Sequence, residues 1–165
     1  MYEHVTKEPK PKRDRMILVA LLISAVLIGA LIPPVYIALG ASYKYHNFVL
    51  EFSQSLTDAR EDGMIFRTDE EGNRSKVSAD AVSYAFLNLT SFSFGQPLKK
   101  VPADVAPFTV SLPDGTTLSF YNTPSDNGLE QPTGVTVQFI PAEGKPFIYL
   151  QRYALYEDLV RPLKR

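Results

Sequence analysis

The chain has 165 residues, 45% of them apolar and 21% charged, and a formal net charge of −1. That suffices for one globular domain plus an appendage and gives no electrostatic basis for a nucleic-acid partner. The absence of cysteine excludes disulfide staples, thiolate metal sites, a cysteine nucleophile and a lipid-modified cysteine.

Residues 1–15 hold lysines and prolines and little that is apolar, and read as a flexible cytoplasmic basic tail. From 16 to 43 there is no charge, and 16–32 reads MILVALLISAVLIGALI. Each Leu, Ile or Val at mid-bilayer favours insertion by roughly 0.3–0.6 kcal/mol, and a span needs about 20 apolar residues. This predicts a transmembrane helix over 16–40, with Pro33 and Pro34 near its outer end. Lys7, Lys10, Lys12, Arg13 and Arg15 precede the segment and only Lys44 follows it closely. The positive-inside rule then makes a single-pass protein of the cell membrane, N-terminus cytoplasmic and C-terminal domain extracytoplasmic. Tyr36, Tyr43 and Tyr45 fall at the level of an interfacial aromatic belt. The alternative is a cleaved signal peptide, with a small-residue site near Ala38-Leu39-Gly40, releasing a secreted domain. The apolar core is longer than the 7–15 residues typical of a signal peptide, which favours the anchor.

Residues 46–165 form the predicted extracytoplasmic α+β domain. Beyond Gly40 there are 12 basic and 15 acidic residues, a net of −3 that predicts no strong attraction to an anionic membrane surface. Phe48, Phe52, Leu56 and Ala59 recur at helical spacing, predicting a helix over 47–60 stopped by Asp62-Gly63 and continuous with the span or separated from it by a kink. Residues 64–67 read as a short strand, 69–73 as a polar turn and 74–77 as a candidate return strand, a possible third hairpin. Ser78 is a good N-cap for a helix over 79–92 whose apolar face is Val82, Ala85, Phe86, Leu89 and Phe92. Residues 96–107, with three prolines, read as a surface loop.

Two hairpins are clearest. Residues 108–112 and 118–120 alternate around Pro113-Asp114-Gly115; residues 135–139 and 147–150 alternate around Ala142-Glu143-Gly144. A polar loop, 122–132, joins them. The expected fold is α+β: an N-terminal transmembrane helix, then a small antiparallel sheet packed on one face with two or three helices. The last helix is expected over 153–160, with Leu155 and Leu159 in register and Pro162 ending it.

Catalytic signatures are missing. There is no G-x-S-x-G and no S-x-x-K, and the only histidines are His4, in the tail, and His46, beside the membrane segment. The 69–73 acidic turn, like Asp126-Asn127-Gly128 with Glu130, lacks the order of an EF-hand loop and reads as a charged hairpin tip. Asn73-Arg-Ser75 and Asn88-Leu-Thr90 are acceptor sequons. No enzyme, catalytic residue, cofactor or metal site is expected.

Phenylalanines and tyrosines crowd the second half, and most are needed for a core without tryptophan. Strand alternation sets Tyr121 and Tyr149 opposite the phenylalanine faces, which makes them the candidate partner-binding residues. In outline the layout resembles bitopic assembly factors of bacterial envelope machines: short cytoplasmic tail, one span, small α+β outer domain. The resemblance is architectural and carries over no site residue. The expected partners are the bilayer, through 16–40, and a protein docked on the sheet edge or the tyrosine-bearing face, with no nucleic acid. The expected role is a binding or scaffold subunit of a membrane-associated complex; the alternative is an extracytoplasmic sensor or small-ligand binder.

Overall fold

The computed structural model describes residues 12–91, 95–123, 134–151 and 154–165. It divides into two units, 1–40 and 41–165. The first helix, α1, runs Lys12–Asp62, so it begins inside the stretch expected to be a tail and takes in the 47–60 helix without interruption. Over the described side chains no helix is long and apolar enough to cross a membrane. The span predicted over 16–40 includes side chains outside that set.

The 41–165 unit is α+β, with the strands in one antiparallel sheet: β1 (Phe66–Thr68), β2 (Arg74–Lys76), β3 (Gln96–Pro97), β4 (Phe108–Ser111), β5 (Thr117–Thr123), β6 (Gly134–Ile140) and β7 (Phe147–Gln151). Their spatial order is β2-β1-β4-β5-β6-β7-β3. Both expected hairpins form, as β4–β5 and β6–β7, and the third, β1–β2, extends the sheet through β1 pairing with β4. Local chemistry sets the turns. In the β4–β5 turn Gly115 takes φ 93°, a conformation that side chains disfavour, and the Asp114 carboxylate accepts from the Thr116 amide at 2.8 Å.

The expected surface loop 96–107 contains a strand instead. β3 seals the far edge of the sheet against β7, with Gln96 opposite Leu150 and Pro97 opposite Tyr149. Gly95 permits this approach, because a Cβ there would lie 1.7 Å from the Leu150 carbonyl oxygen. Proline patterning marks loops but is compatible with a sheet edge, where no ladder donor is needed.

One sheet face carries the core. Pairing aligns Phe108, Phe120, Val137 and Tyr149 in a row across four strands. Helix α2 (Ala79–Thr90) lays Val82, Ala85, Phe86 and Leu89 on that core, and α1 contributes Phe48, Phe52, Leu56 and Ala59. Phe48 sits at the centre, its ring 4.9 Å from Phe139 and 5.7 Å from Phe86. A buried Phe is worth about 1.5–3 kcal/mol, so this cluster dominates the stability of the unit. Phe92, expected to end α2, lies outside the described residues, as do 124–133.

The C-terminal helix differs from expectation. α3 is Tyr156–Val160, followed by a 3-10 turn, Arg161–Lys164, in which Pro162 sits in the first turn without ending the segment. Leu155 is the N-cap and is exposed; Tyr156, Leu159, Val160 and Leu163 are the buried residues. Tyr153 lies outside the described residues.

Candidate functional site

Burying one stripe of α2 turns another outward. Ser78 Oγ accepts from the Ala81 amide at 3.2 Å, starting the helix in the phase that buries Val82, Ala85, Phe86 and Leu89. The same phase leaves Tyr84 58% and Leu87 63% exposed. On the C-terminal segment, burial of Tyr156, Leu159, Val160 and Leu163 leaves Leu155, Asp158, Arg161 and Arg165 outward. Between these surfaces runs an open groove of about 810 Å³. Ala81, Tyr84 and Asn88 of α2 and its C-cap Ser91 line one side, and Leu155, Asp158, Arg161, Pro162 and Arg165 line the opposite side.

Both aspartates lining the groove, Asp80 and Asp158, are paired with arginines. Arg60 Nη2 lies 3.3 Å from Asp80 and donates to Ser83 Oγ at 3.0 Å, while Arg161 lies 3.7 Å from Asp158. All are solvent-exposed, so each pair adds little stability, on the order of 0–1 kcal/mol. They frame an apolar strip of Tyr84, Leu155 and Pro162 and leave arginine donors beside it. This arrangement suits a partner that presents an apolar ridge with polar flanks.

A second, smaller concavity of about 560 Å³ lies at the β1–β2 turn, lined by Arg67, Asp69, Glu70, Glu71, Phe108 and Lys164. Its groups are engaged in holding the turn. Hydrogen bonds from Asn73, side chain and then backbone, hold the Asp69 carboxyl below its usual range. Partial burial would raise Glu70, but the Tyr156 hydroxyl and Lys164 outweigh it and leave that carboxyl lowered. Arg67 donates to the Leu163 carbonyl. Among the described residues no group of three or more His, Cys, Asp or Glu is arranged to hold a metal ion.

The two tyrosines expected to be surface anchors are buried. Tyr149 is fully enclosed, its ring 5.4 Å from both Tyr45 and Phe147, and burial pushes its phenol well up. Residues 147 and 149 share a strand face, so Tyr149 points with Phe147 into the core rather than away from it. Tyr121 does lie opposite Phe120, but it is only 7% exposed and its hydroxyl donates to Gln138 Oε1 at 2.8 Å. The sheet edges offer little more. β2 is three exposed residues carrying Arg74 and Lys76, and β3 is two residues ending in Pro97. Short edges bearing charge or proline resist strand addition. The groove residues were missed by sequence reasoning, although Tyr84 falls off the apolar stripe of α2 and that misfit was readable.

The chain matches no known protein-family model, no curated protein and no solved structure.

Proposed function

We propose that this protein is a single-pass membrane-anchored subunit of a membrane-associated complex, with its N-terminus cytoplasmic and its 41–165 unit extracytoplasmic, where the groove between α2 and the C-terminal segment binds a protein partner. The observation that carries the reading is the groove itself, an apolar strip with charged flanks on a domain whose sheet edges are blunted and whose strand tyrosines are buried. The anchor is supported by the charge-free run 16–43 and by the outward apolar side chains of Val19, Leu21, Leu22, Ile23, Val26 and Ile28. A helix apolar all round suits a lipid surround. The reading is non-catalytic, since the groove holds no histidine and its two carboxylates are each paired with an arginine.

The test is site-specific photo-crosslinking in intact membranes, with the crosslinker at position 84 or, as a control, at the exposed α1 position 50, followed by purification in mild detergent through an N-terminal tag. A discrete adduct from position 84, absent from position 50 and absent when Leu155 is changed to Asp, is expected. A free monomer with no adduct overturns the reading. The groove volume also falls in the range of small-molecule sites, roughly 300–1,000 Å³, which favours a ligand-binding sensor as the second reading. A ligand-dependent rise in melting temperature distinguishes it.

A further inference from the structure

Leu87 stands just outside the groove that its neighbours line. It is exposed and one turn along α2 from Tyr84, yet of the two only Tyr84 lines the concavity. At about 100° per residue, Leu87 lies about 60° round the helix from Tyr84, on the side away from Asn88, which faces the groove. Tyr84 and Leu87, at i and i+3, therefore form a short apolar ridge running beside the groove. The packing of the domain gives that ridge no role, because the residues α2 buries are Val82, Ala85, Phe86 and Leu89.

Ridge and groove lie side by side on one surface. A twofold rotation that sets the ridge of one copy into the groove of another sets the second ridge into the first groove at the same time. That is the condition for an isologous contact, in which residue i meets j and j meets i. Charge points the same way. The ionisable lining of the groove is two aspartates, Asp80 and Asp158, and two arginines, Arg161 and Arg165. Like charges set against each other weaken an interface, and a lining of one sign would do that to its own copy. This lining offers an arginine for each aspartate. The pairs that Asp80 and Asp158 already make are solvent-exposed, so exchanging them for pairs across an interface costs little. The β2 edge, by contrast, carries Arg74 and Lys76 and no acid, and opposes its own copy.

We infer that the partner filling the groove is a second copy of this chain, and that two 41–165 units pair about a twofold axis with the Tyr84–Leu87 ridge of each seated against Leu155 and Pro162 of the other. The inference rests on the groove reading and names its occupant.

The chain has no cysteine of its own, so introduced thiols report without background. Two differently tagged full-length copies are produced together, one carrying Leu87→Cys and the other Leu155→Cys, and intact membranes are treated with a short bis-maleimide. A product bearing both tags is expected. Ala142→Cys, on the exposed β6–β7 turn and outside the groove lining, should give none with Leu155→Cys. The adduct from the photo-crosslinker at position 84 is expected at twice the mass of the chain. Leu87→Asp in both copies should lower its yield by on the order of tenfold. An unchanged melting temperature shows that this variant folds, since the side chain it replaces is already in solvent. A position-84 adduct with a different protein, and no doubly tagged product, overturns the second copy and leaves the groove reading standing. Doubly tagged product at equal yield from Ala142→Cys, or a doubled-mass adduct indifferent to Leu87→Asp, overturns the twofold pairing. No product from either crosslinker overturns the groove reading and the inference together.

Discussion

The Tyr156 hydroxyl donates to a Glu70 carboxylate oxygen at 2.6 Å, tying the C-terminal helix to the first hairpin turn across 86 residues of sequence. Lys164 lies 3.5 Å from the same carboxylate, which is 34% exposed. Tyr156→Phe removes one charge-assisted hydrogen bond at a half-wet site, and a loss of about 1 kcal/mol in urea unfolding is expected. Unchanged stability would show that the bond contributes nothing net.

The same pair sets a pH dependence. The folded-state Glu70 carboxyl is held below its ordinary value of 4.5, so its contribution to stability is present above that value and is lost as pH falls through the lower folded-state value. Unfolding measured from pH 6 to pH 3 should show wild type losing more stability than Tyr156→Phe, whose Glu70 lacks that donor. Parallel curves for the two proteins would contradict this.

Gly95→Ala places a methyl group against the Leu150 carbonyl, where the separation of 1.7 Å leaves no room. The fold should persist with β3 detached from β7. Hydrogen exchange at the Leu98 amide, now bonded to Ile148, should accelerate while amides of the β5–β6 ladder stay protected.

Phe48→Ala empties the centre of the aromatic cluster and should cost about 3–5 kcal/mol. Leu50→Ala, two residues away on the exposed side of α1, should change stability by less than about 0.5 kcal/mol. Similar losses for both would mean that the 41–62 stretch of α1 does not pack as described.

Tyr84→Ala should leave stability within about 0.5 kcal/mol, because the side chain is 58% exposed, yet lower partner retention by on the order of 30-fold if Tyr84 anchors the interface. Quantitative recovery of the partner at near-endogenous expression measures this. Equal recovery would remove Tyr84 from the interface.

Much of the architecture was readable in the chain because it is written locally. The i, i+4 spacing of Phe48, Phe52 and Leu56 marks a buried helix face, Ser78 marks a helix start, and Pro113-Asp114-Gly115 between alternating runs marks a hairpin. Each signal is complete within about a dozen residues, the range over which backbone geometry imposes its periods. The signals weakened where an element was short. β3 has two residues, too few for any alternation, and Leu155 is a cap because the short helix that follows turns Tyr156, Leu159 and Val160 inward.

By itself the sequence determined the α+β class, the faces of α1 and α2, both central hairpins and a charge-free N-terminal run. Tertiary structure alone decided that β1 joins β4, that Tyr121 and Tyr149 are enclosed, and that α2 and the C-terminal segment frame a groove. The reason is physical. Period and turn chemistry fix which way a side chain leaves its own element, but exposure and clustering depend on which other elements arrive beside it, and that is set by burying the largest apolar area the whole chain can assemble.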